Sequence, residues 1–261
     1  MIRKTSVAGS FYPSDATEIE KYFNHFSQVY KQHISLPNFV PKAVIVPHAG
    51  YVYSGFTANM AYQMLQKSGI KNFAVIGPSH RVAFSGMSLC DFEGYETPFG
   101  ILPGDQATVR EIRELFSLEC LEEVHAEHST EVQFPFIKYY IPDAKIIEIV
   151  YGDTKPKSIS KVIEYICEKK EWGVVISTDL SHFYTQEEAR IFDAVCLEAV
   201  EKLDPFILHR GCEACGKTGV EAMLEAAKKL QLRSEIFDYR TSADASGDTS
   251  RVVGYMSAVF V

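Results

Sequence analysis

The chain has 261 residues, 46% of them hydrophobic and 23% charged, with a formal net charge of −8. These values suit a soluble globular protein, long enough for one large α/β unit. The acidic balance argues against general electrostatic binding to nucleic acid or anionic lipid, so neither is expected as a partner.

Met1-Ile2-Arg3-Lys4 runs into Thr, Ser, Gly and Pro rather than an apolar run. No stretch reaches the roughly 18 apolar residues of a membrane span. The expectation is a cytoplasmic protein without a signal peptide. No linker, low-complexity tract or repeat divides the sequence, which predicts a single domain over 1–261. The six cysteines (Cys90, Cys120, Cys167, Cys196, Cys212 and Cys215) are dispersed. In a chain of this length without a secretion signal they read as free thiols rather than a disulfide framework.

In chain order, residues 1–12 form an extended leader ending in Gly9-Ser10-Phe11-Tyr12-Pro13. Ser14 or Asp15 caps a helix to about Tyr30, with Ile19, Tyr22, Phe23 and Phe26 along one face. A strand at Ala43–Val46 is followed by a helix from about Phe56 to Lys67 and a strand at Asn72–Ile76. Residues 86–103, with Gly94, Pro98, Gly100 and Pro103, predict an irregular excursion or hairpin before a helix near 105–117. Glu127–Thr130 opens a helical segment in which Thr130 and Gln133 form a capping box. A strand at Lys145–Val150, a helix at about 155–169, a strand at 173–178 and a helix at about 185–202 continue the alternation. A helix at 217–230 and an antiparallel pair near 234–241 and 252–260 complete it. Alternating strands and helices predict an α/β fold with a mainly parallel central sheet flanked by helices.

Three of these apolar runs end close to a histidine: Val44-Ile45-Val46 before His48, Ala74-Val75-Ile76 before His80, and Val174-Val175-Ile176 before His182. Ligands of open α/β sheets bind beyond the carboxyl ends of the strands, so histidines placed there converge on one site. Imidazole suits Zn, Fe and Cu, which makes a metal centre the leading reading; a ring that only caps a turn is the plain alternative for each. Asp179 and His182, three residues apart, share a face if the chain turns helical there, and the pair serves as an acid/base or orients a ligand. Glu127-His128-Ser129-Thr130-Glu131 sets two carboxylates around a histidine, for a metal, a substrate or a helix cap. Cys212 and Cys215 form a lone C-x-x-C, too little for a zinc ribbon. Cys215, before Gly216 at a helix start, reads as the reactive thiolate. No P-loop, G-x-G-x-x-G or G-x-S-x-G occurs, which removes the usual signatures of nucleotide binding and serine-hydrolase chemistry.

Pro47-His48-Ala49-Gly50-Tyr51-Val52-Tyr53-Ser54-Gly55, Gly77-Pro78-Ser79-His80, Glu127-His128-Ser129-x-Glu131-x-Gln133-x-Pro135-Phe136, Ser177-x-Asp179-x-Ser181-His182 and Cys215-Gly216 occur in this order. Together with Ala8-Gly9-x-Phe11-Tyr12-Pro13 they resemble the Memo family, whose prokaryotic members are called AmmeMemoRadiSam system protein B. The resemblance implies a fold similar to class III extradiol dioxygenases, which hold non-haem Fe(II) with two histidines and a carboxylate. It implies His48, His80 and Cys215 as metal ligands, with Asp179 and His182 beside them; His182, Asp179 and His128 are the expected catalytic residues. A thiolate in place of the carboxylate softens the site, so Cu or Zn joins Fe(II) as an expected metal. The resemblance also implies radical-SAM and AMMECR1-like protein partners. Three functions follow as expectations: a metal-dependent redox protein acting on a small molecule, a non-catalytic module binding a peptide or protein in the strand-edge pocket, and a Zn-dependent hydrolase.

Overall fold

The computed structural model describes residues 1–33 and 40–261. A two-residue strand β1 (Ile2–Arg3) precedes helix α1 (Ala16–His33), strand β2 (Ala43–Val46), helix α2 (Tyr51–Ser68) and strand β3 (Asn72–Pro78). Short strands β4 (Met87–Leu89), β5 (Gly94–Thr97) and β6 (Gly100–Pro103) come next, then helix α3 (Gln106–Phe116). After a 3-10 turn at Glu122–His125 follow helices α4 (His128–Glu131) and α5 (Phe134–Tyr140) and strand β7 (Lys145–Tyr151). Helix α6 (Pro156–Glu168), strands β8 (Trp172–Ser177) and β9 (His182–Tyr184) and helix α7 (Gln186–Glu201) continue the alternation. A second 3-10 turn at Pro205–Arg210 leads to helix α8 (Lys217–Leu230), strand β10 (Ser234–Thr241), the short helix α9 (Ala243–Ser246) and strand β11 (Val252–Phe260).

The main sheet runs in the order β10-β11-β2-β8-β3-β7-β4, with β9 added on β11. Its centre is parallel, since β2 pairs with β8, β8 with β3, and β3 with β7. Both flanks are antiparallel, through β10, β11 and β9 on one side and β4 on the other. The α/β expectation holds, and the parallel part is confined to four strands. Strand alternation explains their continuous apolar runs. Ala43, Ile45, Ala74, Ile76, Val174 and Ile176 enter a layer shared with α6, α7 and α8. Val44, Val46, Phe73, Val75 and Val175 enter the opposite layer, shared with α1, α2 and α5. Both faces are covered, as a parallel sheet requires. Residues 94–103 do form the antiparallel hairpin β5–β6, which extends β1 into a separate three-stranded sheet.

Asp15 caps α1 by accepting from the Glu18 N–H at 3.0 Å, as the sequence predicts. Helix α2 begins at Tyr51 rather than near Phe56, and Gly55 lies inside it as a packing residue. A Cβ there would stand 2.8 Å from the Phe26 ring, so the glycine lets α1 lie against α2. The Thr130–Gln133 capping box is absent. Glu127 caps α4 instead, its carboxylate accepting from the Ser129 N–H, while Gln133 makes no side-chain cap for α5. The reading of the cysteines as unpaired thiols is also overturned. Cys90 bonds to Cys120 and Cys196 to Cys212, leaving Cys167 and Cys215 free. The pairs are brought together by tertiary packing across 30 and 16 residues of sequence, respectively. Among the described residues no helix is long and apolar enough to cross a membrane.

Candidate metal centre

Three adjacent parallel strands deliver the core of the site. His48, Asp179 and His80 each stand two residues beyond the carboxyl ends of β2, β8 and β3. This is the sheet edge at which α/β folds bind ligands. Helix α4 is docked on the end of β3 by a hydrogen bond from Ser129 Oγ to the Pro78 carbonyl at 2.7 Å, which brings in His128. The turn before α8 supplies Cys215. Its N–H donates to the Asp179 carbonyl at 3.2 Å, and the Gly216 N–H donates to Thr178 Oγ1 at 2.9 Å. A Cβ on residue 216 would stand 2.7 Å from that hydroxyl, so only glycine permits this approach.

The rings of His48, His80 and His128 meet with centroids 5.0, 5.3 and 4.5 Å apart. One ligand atom from each lies within 4.8 Å of the others. Each ring has its Nδ1 atom engaged. Oε1 of the fully buried Glu127 accepts from His80 Nδ1 at 3.1 Å and from His128 Nδ1 at 2.8 Å. His48 Nδ1 lies 3.0 Å from Ser177 Oγ. That hydroxyl spends its single hydrogen on the Ser129 carbonyl and accepts from Gln133 Nε2 at 2.9 Å. The Gln133 amide is itself oriented, because its Oε1 accepts from the Tyr62 hydroxyl at 2.9 Å. One acceptor position therefore remains on Ser177, which assigns the hydrogen of His48 to Nδ1. All three rings keep the Nε2 lone pair as the metal-facing donor, which at His48 faces the Cys215 sulfur, the arrangement that second-shell partners impose on metal-binding histidines.

The electrostatics agree with a neutral nitrogen donor set. Burial, together with neighbouring His80 and His128, holds the His48 pKa well below its ordinary value, so the ring is uncharged at neutral pH. Burial pushes the Glu127 pKa up, but hydrogen bonds from His128 and His80 outweigh it and keep the carboxylate ionised, well below the usual range. Burial raises the pKa of Asp179 against the opposing hydrogen bond from the His48 N–H, 2.7 Å away. Burial, and then the charge of Asp179, pushes the Cys215 thiol up to about 12. Cys215 is thus a protonated thiol in the metal-free protein. The expectation of a helix-stabilised thiolate fails, since burial and a neighbouring carboxylate outweigh the helix terminus.

The Cys215 sulfur lies 3.3 Å from His48 Nε2. A metal with sulfur at about 2.3 Å and nitrogen at about 2.0 Å keeps those donors about 3.0–3.5 Å apart at octahedral to tetrahedral angles. The observed spacing fits that range, and the imidazole–thiol donor set fits a first-row transition metal. Of the residues named from the sequence, His48 and His80 meet in the cluster with His128, whereas Cys215 reaches it through His48 and is not among the three whose ligand atoms all lie within 4.8 Å of one another. Asp179 lines the site beside His48, its Oδ2 3.9 Å from Nε2. His182 is half-buried and acts electrostatically on both His48 and Asp179. It does not share a helical face with Asp179, because it opens β9 and pairs with Val253. Nor do Cys212 and Cys215 act as a C-x-x-C pair, since Cys212 is bonded to Cys196. Sequence reasoning missed Ser177 and Gln133 and the double acceptor role of Glu127. The adjacency of Glu127 to His128 was the only signal of the last.

The Memo-like protein family matches residues 3–259. A MEMO1 family protein of Methanobrevibacter smithii is 36% identical over 282 residues, with both chains covered completely. A MEMO1 family protein of Aquifex aeolicus is 31% identical, covering 100% of this chain and 99% of its own. One of Sulfolobus acidocaldarius is 34% identical at the same coverage. Among solved structures, the uncharacterized protein JW3007 from Escherichia coli K12 aligns with a TM-score of 0.54 at 12% identity. It covers 85% of this chain and 100% of that one, a similarity of fold alone. Matched from end to end by the family and by these relatives, the chain belongs to the Memo-like family.

Proposed function

We propose that the protein is a metal-dependent redox protein whose ion is held by nitrogen from His48, His80 and His128 and by sulfur from Cys215. The observation that supports this most is the disposition of the three rings, each with Nδ1 hydrogen-bonded away so that the Nε2 lone pair is the one left for an ion. The mixed donor set favours Fe(II), with Cu or Zn also accepted, over the oxygen-seeking Mg and Ca. Bound there, a redox-active ion supplies electron transfer and Lewis acidity to a small organic substrate or O2. The protein's own contribution is proton handling and positioning. Glu127 and Ser177 fix the ring tautomers, Asp179 anchors the His48 backbone, and His182 at the rim exchanges a proton with the ligand. The cell interior, where Fe(II) is kept reduced, is the proposed location.

Elemental analysis of anaerobically purified protein tests this reading. Near-stoichiometric iron or copper, lost in His48→Ala, His80→Ala and Cys215→Ala, is the expected result. Absence of metal after reconstitution overturns it. Zinc alone, with amide or ester hydrolysis abolished by chelation, replaces it with the hydrolase reading.

A second reading has its own observation. A cavity of 440 Å³ is lined by Gly9–Ser14 of the leader and by Gly50–Tyr53 at the start of α2. Phe11 of that lining contacts His128, with ring centroids 4.7 Å apart, and Val52 and Tyr53 are exposed. This recess beside the histidines suits a peptide or small ligand bound without chemistry. Ligand or partner binding that survives replacement of all three histidines favours it. Radical-SAM and AMMECR1-like proteins are the proposed partners for such an assay.

A further inference from the structure

Residues 211–216, which carry Cys215 to the site, lie outside helix and strand between the second 3-10 turn and α8. They are anchored at both ends. At the far end the Cys215 and Gly216 N–H groups are held by Asp179 and Thr178. At the near end the disulfide ties Cys212 to Cys196 of α7, and both residues are buried. Between them the Tyr184 hydroxyl donates to Glu213 at 3.3 Å, which links the segment to β9, the strand that begins with His182. The cross-link therefore stands three residues from the candidate sulfur donor, on the turn that carries Cys215 into α8.

We propose that the Cys196–Cys212 disulfide is a redox-sensitive positioning device for the metal centre. Closed, it holds Cys215 against His48. Open, it lets the segment swing about Gly211, whose φ of 129° lies in a region glycine alone adopts readily. Opening also frees the Cys212 thiol to compete with Cys215 for the ion. The inference rests on the reading of Cys215 as a metal donor. The chemistry is an ordinary two-electron exchange with a dithiol. The S–S bond breaks, Cys196 and Cys212 each gain one hydrogen, and the dithiol closes to its own disulfide. A disulfide oxidant reverses the step. Both sulfurs are buried, so exchange proceeds through local opening of the segment.

The second disulfide provides an internal control. Cys90–Cys120 joins residues of the opposite apolar layer and the segment before the first 3-10 turn. It contributes no residue to the segment that carries Cys215.

The test is a Co(II) titration of the full chain, following both affinity and the thiolate-to-cobalt charge-transfer band. Removal of a supporting contact around metal ligands typically costs about 10–100-fold in affinity. A loss of that size, with a weakened band, is expected for Cys196→Ala/Cys212→Ala. Cys90→Ala/Cys120→Ala is expected to keep the wild-type affinity and band. Should the first variant fail to fold, Cys90→Ala/Cys120→Ala protein reduced anaerobically, freed of dithiol and then titrated is expected to show the same fall in affinity, restored by reoxidation. Unchanged affinity and band after the Cys196–Cys212 bond is removed overturn this inference and leave the metal centre standing. Cobalt uptake by the wild type without any thiolate band overturns the sulfur-donor reading, and this inference with it.

Discussion

The sulfur of Cys215 and Nε2 of His48, 167 residues apart in sequence, lie 3.3 Å from each other. That contact joins a thiol whose pKa is pushed up to about 12 to an imidazole held neutral by burial. Neither group carries charge at neutral pH in the metal-free protein, which fixes how binding depends on pH.

Metal uptake is expected to release a proton from Cys215, because the thiolate is the ligand and the free thiol remains protonated up to about pH 12. Affinity then rises about tenfold per pH unit through the neutral range. Calorimetry of Zn(II) binding in two buffers of different ionisation enthalpy counts the proton. Cys215→Ser should abolish both the release and the slope; an equal release in that variant assigns the proton elsewhere.

Glu127→Gln keeps the size of the side chain and removes the charge that two imidazole hydrogens share. An amide oxygen still accepts, but the Gln NH2 must then face His80 N–H or Ser129 N–H, which are donors themselves. Metal affinity should fall about 10–100-fold, as for other outer-shell partners. NMR of the ring nitrogens should show a changed tautomer at His80 or His128. Retention of both affinity and tautomers refutes the positioning role.

Arg3 is buried against Glu131 and Glu148. Burial pushes both carboxyls up, yet Arg3 leads the opposing effects that hold them below their ordinary value of 4.5. Depressed folded-state values mean stability that is present above pH 4.5 and lost as pH falls through those lower values. Arg3→Met removes the guanidinium from two buried carboxylates, leaving Glu131 its bonds from Ser6, Val7 and Tyr12 and Glu148 those from His125 and Thr130. The substitution should cost about 3–5 kcal/mol at neutral pH. The deficit should shrink on acidification as the carboxylates take up protons. Denaturant titrations at pH 7 and pH 5 measure this, and a deficit that grows in acid contradicts it.

Gly216→Ala places a methyl group 2.7 Å from Thr178 Oγ1 and 2.9 Å from the Ser177 carbonyl. The backbone has to move, at a cost of about 1–3 kcal/mol. Because the displaced turn carries Cys215, the Co(II) thiolate band should weaken as well. A variant with wild-type stability and an unchanged band shows that the turn tolerates a Cβ.

The fold was legible where local pattern decides structure. Ala43–Val46 and the strand around Val174–Ile176 announce themselves as β-branched runs buried on both faces, and Asp15 marks its helix by its capping chemistry. The start of α2 was not, because Gly55 lies inside the helix as a packing contact for Phe26, a tertiary relationship that no local pattern shows. Cysteine pairing was equally hidden. Which thiols meet depends on how α7 and the segment after it pack, a relationship that spacing does not encode. At the site, His48 and His80 stand out because strand ends position them directly. The part played by His128 depends on the direction of a four-residue helix, set by Glu127 and Ser129 rather than by any period.

Strand β11 lies between β10 and β2, pairs with both, and also receives β9. Each of these partners precedes it in the chain. During synthesis, β2 emerges early and must wait for a neighbour made some two hundred residues later. Until then one side of β2 offers unpaired N–H and C=O groups to any other strand in reach. Folding must therefore be largely post-translational for this sheet, and slow by virtue of its long-range pairings. The nascent chain is exposed to aggregation through the strand at Ala43–Val46 for as long as that position stays open.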